Sequence, residues 1–349
     1  LEALGAGLSI REGFEVAFRA NFATVDPRSR KVIDRRAGRS LTSEEARKLA
    51  AELDGLKLRG GEGYARVAPT VGHRAVVIIG SSRRLSDNVD NIDPAYRRRG
   101  RVSEAVSSFD LKLPRCKPLD SSPEATFTCS LVDEFVEKSI ELLDRHPVNV
   151  DRERRGLLKA NVLLLRDPGA YLPRMPPISK QLGLDSAAAV AEMPVEIGIA
   201  RAAGMKVYRV PPPSGSLERD LPERLRAALM ALEDGSSLVY VHLKGPDEPG
   251  HDGSFEGKVR AIEAIDRMFV KPLLDRVNLE EVGVIVTSDH ATPWRLKAHS
   301  SDPVPWMVSH PSIKSSATFS ERSCWERGRK LDYAWQLLPL ALAMLGLRK

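Results

Sequence analysis

The distribution of apolar and polar positions divides the chain into two regimes. From about Gly13 to Pro177, short strand patterns are separated by basic, polar loops. "VAFRANFATV" (Val16–Val25) alternates in places as a half-buried strand does. "HRAVVIIG" (His73–Gly80) and "ANVLLLRDPG" (Ala160–Gly169) are apolar runs of buried-strand length. "LTSEEARKLAAELDGL" predicts a helix opened by a Thr42/Glu45 capping box and stopped near Gly55. "EATFTCSLVDEFVEKSIELLDRH" predicts a long amphipathic helix ended by Pro147.

From Ile178 the rhythm becomes a steady βα alternation. Strands "AAAVAE", "KVYRVP", "SLVYVHL" and "VGVIVTSD" are interleaved with helices "VEIGIARAAG", "PERLRAALMALEDG" and "SFEGKVRAIEAIDRMFV". These strands are largely apolar rather than alternating, which predicts a mostly parallel sheet with helices on both faces, an α/β fold. Phe255, Val259, Ile262 and Phe269 share one helix face. "YAWQLLPLALAML" predicts a buried helix kinked at Pro339, and the Pro-rich "YLPRMPPISK" (Tyr171–Lys180) predicts a hinge between two domains.

Composition changes this picture little. A chain of 349 residues fits about two domains, and no apolar run approaches the ~20 residues of a membrane span. The net charge of +6 is concentrated in "RRRGR" (Arg97–Arg101) and "DRERR" (Asp151–Arg155). Neither run is interleaved with base-stacking aromatics, so both read as solvated faces and no nucleic-acid or membrane partner is expected. Cys116, Cys129 and Cys324 form no CxxC pair and no disulfide framework, which points to a reducing cytoplasm.

Candidate chemistry lies at the ends of two predicted strands. "VHLKGPDEPGHDG" supplies Asp247 and His251; "VIVTSDHATP" supplies adjacent Asp289 and His290; His299 follows in "KAHSSDPVP". Ligands of open α/β sheets bind beyond the carboxyl ends of strands. Mixed carboxylate and imidazole donors suit Zn²⁺, Mn²⁺ or Fe²⁺, and five such groups suit two neighbouring ions. Taken singly, the first segment also reads as a Gly/Pro turn and Asp289 as a helix cap.

These segments resemble the metal-binding motifs of the alkaline phosphatase superfamily, and more narrowly those of archaeal-type cofactor-independent phosphoglycerate mutases. "LEALGAG", "FRANFATVD", "DRRAGR", "LSDNVDNIDP" and "AEMPVEIGIARAAGM" extend the resemblance over nearly the whole chain. It implies an alkaline-phosphatase-like domain at 178–349, a remnant of it at 1–12, and an inserted α/β (α+β) substrate domain at 13–177. By the same resemblance Asp247, His251 and His299 would hold one divalent ion and Asp289 and His290 another. Manganese would be the usual metal, with zinc, magnesium or cobalt as alternatives. The resemblance also calls for a nucleophilic Ser and a further Asp ligand upstream of Leu1, so an N-terminally truncated chain, inactive by itself, is expected.

The implied reaction interconverts 3- and 2-phosphoglycerate through a phosphoserine, a step of glycolysis and gluconeogenesis. A doubly anionic substrate calls for cationic side chains, and guanidinium meets carboxylate or phosphate with paired hydrogen bonds. Arg19, Asp34, Arg35, His73, Arg74 and Lys244 are the candidates, with Asp87 and Asp90 as hydroxyl-orienting groups or turn caps. A metal-dependent phosphatase or phosphodiesterase of the same superfamily is the alternative, and a non-catalytic metal-binding fragment the second.

Overall fold

The computed structural model describes residues 1–106, 110–313 and 318–347. Two compact units form: Leu1–Met175 with Met193–Ala202 (unit 1), and Pro176–Glu192 with Ala203–Lys349 (unit 2). The first crossing, between Met175 and Pro176, falls inside the Pro-rich stretch Tyr171–Lys180.

Unit 1 opens with a short helix α1 (Glu2–Gly5). Its sheet is antiparallel and six-stranded: β1 (Glu15–Val25), β2 (Val32–Asp34), β3 (Lys57–Leu58), β4 (Gly63–Pro69), β5 (Arg74–Ser81) and, further along the chain, Val162–Gly169. β1 is central, flanked by β5 and Val162–Gly169. One face of β1, carrying Val16, Phe18, Ala20 and Phe22, joins the main core with helices α2 (Ser43–Leu53) and α3 (Pro123–Asp144). The Thr42/Glu45 capping box forms as expected and Gly55 turns the chain with φ +81°. On the opposite face α1 covers Val76 and Ile78. It is locked to a helix at Pro194–Ala202 by close approach: a Cβ on Gly198 would stand 2.0 Å from the Leu1 carbonyl oxygen.

Pro147 does not merely end α3. It starts α4 (Pro147–Arg154), where a missing N–H costs nothing. Val162–Gly169 is then β8, and the "RRRGR" run forms the hairpin of β6 (Tyr96–Arg99) and β7 (Val102–Ala105), with Arg97 and Arg99 exposed.

In unit 2, α5 (Ile178–Leu182) leads to β9 (Ala188–Ala191); the Pro194–Ala202 helix of unit 1 is α6. β10 (Lys206–Arg209), β9 and β11 (Val239–Val241) form a three-stranded parallel sheet in the order β10-β9-β11, packed on α7 (Leu217–Glu233). After β11 come α8 (Asp247–Asp252) and α9 (Phe255–Ile265), a π turn at Asp266–Val270 and α10 (Lys271–Leu274). β12 (Val284–Thr287) pairs antiparallel with β13 (Trp306–Ser309) and, among the described residues, does not join the parallel sheet. Helices α11 (Glu321–Arg327) and α12 (Leu337–Met344) follow. No helix among the described residues is long and apolar enough to cross a membrane.

Four expectations are corrected. Cys116 and Cys129 form a disulfide, because α3 folds back over the loop before it and sets their Cα atoms 5.0 Å apart. The inference of a reducing compartment from cysteine usage therefore loses its basis. Phe255 and Ile262 are 51% and 53% exposed, so their shared helix face is not core; only Phe269 of the set is buried. The C-terminal helix is not buried as expected: only Ala341 and Leu342 of α12 are buried, and Trp335 before it is 72% exposed.

The last correction concerns "DRERR". Arg152 is fully buried rather than solvated. Its guanidinium donates to Leu158 O, Ser40 O, Ala37 O, Ser40 Oγ and Glu45 Oε2 at 2.8–3.4 Å, tying α4 to the cap of α2. Truncation strands several acceptors and the Glu45 charge. We expect Arg152→Ala to lower the unfolding free energy of unit 1 by about 3–5 kcal/mol in a denaturant titration. A loss under about 1 kcal/mol would show the network to be incidental.

Candidate functional site

In unit 2 the loops after β11 and β12 converge. α8 puts Asp247 and His251 one helical turn apart on one face. Gly253, at φ +76°, ends that helix in the left-handed conformation. Gly250 lets α8 approach the His290 segment, since a Cβ there would stand 2.5 Å from Thr292 O. Lys258 fastens the two loops together by donating to Pro246 O (3.3 Å) and Thr292 O (2.9 Å). An isolated bridge between Ala291 and Ser300 folds the following segment back and brings His299 beside His290, ring centroids 3.9 Å apart.

The donor atoms form a small triangle. His251 Nε2 and His299 Nε2 are 3.2 Å apart, and Asp247 Oδ1 lies 3.6 Å from the first and 3.5 Å from the second. Metal–ligand bonds of about 2.0–2.2 Å place adjacent tetrahedral donors about 3.3–3.6 Å apart. The triangle has the dimensions of a metal-ligand set.

Proton positions agree with this. His251 Nδ1 lies 3.1 Å from Lys297 O. A carbonyl only accepts, so Nδ1 carries the hydrogen and Nε2 presents its lone pair to the triangle. That backbone hydrogen bond is the usual outer support of a metal-bound imidazole. Lys297 adopts φ +53°, an uncommon conformation for a non-glycine residue, which aims this carbonyl. Thr292 Oγ1 donates to Asp247 Oδ1 at 2.6 Å and lies 3.2 Å from His290 Nδ1. Having spent its one proton on Asp247, the hydroxyl accepts from His290 Nδ1–H and leaves His290 Nε2 bare. Partial burial pushes the Asp247 carboxyl upward, but the Thr292 hydrogen bond and the three imidazoles outweigh it and hold it below its ordinary value.

Asp289 stands at the edge of this group. Its Oδ1 accepts from the His290 backbone N–H at 3.0 Å and its Oδ2 lies 3.4 Å from His290 Nε2. Lys244 Nζ is 4.0 Å from Glu192 Oε1, a buried carboxylate also paired with Arg224.

The unit 1 candidates do not share one cluster. Arg35 is committed to Asp93 by paired hydrogen bonds, both 2.7 Å, and lies over the Tyr96 ring. Asp34 Oδ1 accepts from Arg36 N and Gly38 N, so its carboxylate shapes the turn. Arg35 and Asp34 nonetheless line an open groove of about 320 Å³ with Arg36 and Arg39. Arg19 and Arg74 lie instead on the sheet face under α1. Asp87 and Asp90 accept from the backbone N–H groups of Ala170 and Asn91.

Comparison with known proteins gives these clusters a family. Residues 1–149 match the profile of the 2,3-bisphosphoglycerate-independent phosphoglycerate mutases. A relative of that name from Aeropyrum pernix is 49% identical, the alignment covering 99% of this chain and 82% of the relative. One from Archaeoglobus fulgidus is 36% identical, over 100% and 81% of the two chains. The chain belongs to that family. It is accordingly an isomerase of a small phosphorylated substrate. Among solved structures, a Pyrococcus horikoshii protein superposes with a TM-score of 0.72 at 26% identity, covering 100% of this chain and 78% of its own. The cofactor-independent phosphoglycerate mutase of Thermoplasma acidophilum gives 0.57 at 27% identity, over 97% and 80%.

Sequence reasoning missed two parts of the centre. Thr292 stands in the quoted "SDHATP" motif, two residues after His290, but nothing in its type announces a bridging hydroxyl. The Lys297 carbonyl carries no sequence signal at all. Thr292→Val keeps the shape and removes the bridge; Mn²⁺ or Zn²⁺ affinity by calorimetry should fall about 10–100-fold with the fold intact. Unchanged affinity would deny Thr292 its supporting role.

His73, in the turn just before β5, is held at about 4 rather than 6.5 because burial penalises its charged form and Arg74, Arg36 and Arg39 repel it, Asp34 opposing. The unfolded chain binds this proton more readily, so the contribution to stability is complete above pH 6.5 and is lost as pH falls toward 4. An NMR titration should find the His73 midpoint near 4, moving up in Arg74→Gln. A midpoint at 6.5 or above in the unmodified protein would contradict this environment.

Proposed function

We propose that the natural full-length protein interconverts 3- and 2-phosphoglycerate through a phosphoserine intermediate at a centre of two divalent ions. The observation that carries this reading is the triangle of Asp247 Oδ1, His251 Nε2 and His299 Nε2, with the His251 Nδ1 side held outward by Lys297 O. Those residues would hold one ion, and His290 with Asp289 would contribute to a second. Manganese is the metal we favour on the family resemblance. When bound, such ions polarise phosphoryl oxygens and lower the pKa of a hydroxyl nucleophile.

The protein's own groups have separate tasks. Thr292 keeps the Asp247 carboxylate ionised and aimed, and Lys297 O keeps the His251 lone pair pointing inward. Lys244, beside the buried Glu192 carboxylate, offers a cation after the β11 strand end. In unit 1, Arg19, His73 and Arg74 are the groups we assign to the carboxylate and phosphate of the substrate, Arg35 being held by Asp93 and Asp34 by its turn. Low-pKa His73 stays neutral near pH 7, so it would serve there as a hydrogen-bonding group and the arginines as the charges. A serine hydroxyl takes the phosphoryl group as the substrate C–O–P linkage opens, then returns it to the other glycerate oxygen. That serine is not assigned within residues 1–349.

The test is an assay of the natural full-length protein with Mn²⁺ and no added 2,3-bisphosphoglycerate, followed by ³¹P NMR. Conversion of 3- to 2-phosphoglycerate without release of inorganic phosphate is expected, and His251→Ala should reduce it on the order of a hundredfold or more. Phosphate release with no isomer would favour the phosphatase reading. Full activity in His251→Ala would remove the metal centre from the mechanism.

A further inference from the structure

The outer face of the unit 1 sheet carries an unresolved electrostatic problem. In the β1–β8 register Arg19 lies directly opposite Arg166, and in the β1–β5 register Asn21 lies opposite Arg74. Directly opposed residues project from the same face, so three guanidinium stems rise together, and like charges so placed repel. Arg166 is relieved by Asp93, 3.4 Å away, and by the Tyr96 ring. Arg19 has a different counter-charge, Glu2 of α1, with Nε and Oε2 3.9 Å apart.

That pairing is incomplete. The separation is too long for a hydrogen bond. Glu2 Oε2 and Arg19 Nε are both buried and both lack a hydrogen-bond partner, although the Glu2 side chain is only 10% exposed. The reason lies in α1, whose backbone is fixed against α6 at Gly5 and Gly198 and held at its end by Arg201 donating to Leu4 O. From that anchored turn the Glu2 carboxylate stands 3.9 Å from Arg19 Nε. Burial raises its carboxyl above the usual range, against the pull of Arg19, Arg74 and Arg166. A free oxyanion has no such tether and can meet a guanidinium with hydrogen bonds of about 2.7–2.9 Å.

We propose that Glu2 is a built-in counter-anion: it occupies an oxyanion-binding position beside Arg19, Arg74 and Arg166 and yields it to an oxyanion of the substrate, carboxylate or phosphate. The inference rests on the assignment of unit 1 to substrate binding. It adds that affinity at this position is a competition with the chain's own carboxylate. Removing the internal competitor frees the fraction of sites it blocks.

The test uses the whole chain, freed of metal with chelator so that the unit 2 cluster takes no part. Inorganic phosphate, D-glycerate and 3-phosphoglycerate are titrated by calorimetry into the unmodified protein, Glu2→Gln and the double variant Glu2→Gln/Arg19→Gln, each checked for folding by thermal melting. Glu2→Gln should tighten phosphate or glycerate about five- to tenfold, and the double variant should lose that gain. A gain for phosphate alone assigns the position to the phosphoryl group, and a gain for glycerate alone to the carboxylate. Unchanged or weaker binding of both in Glu2→Gln, or no binding to any form, overturns the proposal. If Glu2→Gln does not fold, hydrogen exchange of the α1 amides in the unmodified protein decides: saturating phosphate should accelerate it, and no change overturns the proposal. A gain for phosphate while 3-phosphoglycerate fails to bind would leave the counter-anion standing and remove the phosphoglycerate reading of unit 1. Ordinary 3-phosphoglycerate binding with no gain in Glu2→Gln would do the reverse.

Discussion

One carboxylate oxygen organises the chemistry of unit 2. Asp247 Oδ1 accepts the Thr292 hydroxyl and lies within 3.6 Å of two imidazole nitrogens. Two imidazole nitrogens 3.2 Å apart make poor company unless something electropositive sits between them or one donates to the other. The fixed Nδ1–H of His251 points away from the triangle, so the inward face of that ring is a lone pair. Everything around the triangle works to keep this arrangement: the close approach at Gly250, the Lys258 ties and the left-handed Lys297. A fold that had no use for convergent lone pairs would gain nothing from that effort.

Unit 1 meets the complementary constraint, an excess of positive charge on a sheet. Strand register sets Arg19 opposite Arg166, and two acids meet the local guanidiniums: Asp93 serves both Arg35 and Arg166, and Glu2 faces Arg19. The Arg35–Asp93 pair has ideal paired geometry and is a structural element, whereas the Arg19–Glu2 pair is loose. Loose pairs are where an external anion can compete, and this contrast separates arginines that hold the fold from arginines available to a substrate.

Much of this was legible in the sequence where the signal is local. The capping box at Thr42, the three long strands β1, β5 and β8 and the placement of acidic and imidazole groups after β11 and β12 follow from spacing and strand ends. What sequence could not supply is long-range. Arg152 reads as one charge in a solvated run, and only the approach of Ser40 and Glu45 from over a hundred residues away buries it. Cys116 and Cys129 look unpaired until α3 folds back. Phe255 and Ile262 obey helical spacing, but spacing says nothing about whether a partner surface is present. Thr292 and the Lys297 carbonyl owe their roles entirely to a tertiary approach.

The account stands or falls on whether the three donors grip an ion. Crystals grown with Mn²⁺ and measured at the manganese absorption edge address this directly. The expected result is an anomalous peak about 2.0–2.3 Å from Asp247 Oδ1, His251 Nε2 and His299 Nε2 together. No peak there at saturating Mn²⁺, with the two imidazoles hydrogen-bonded to each other instead, would contradict it.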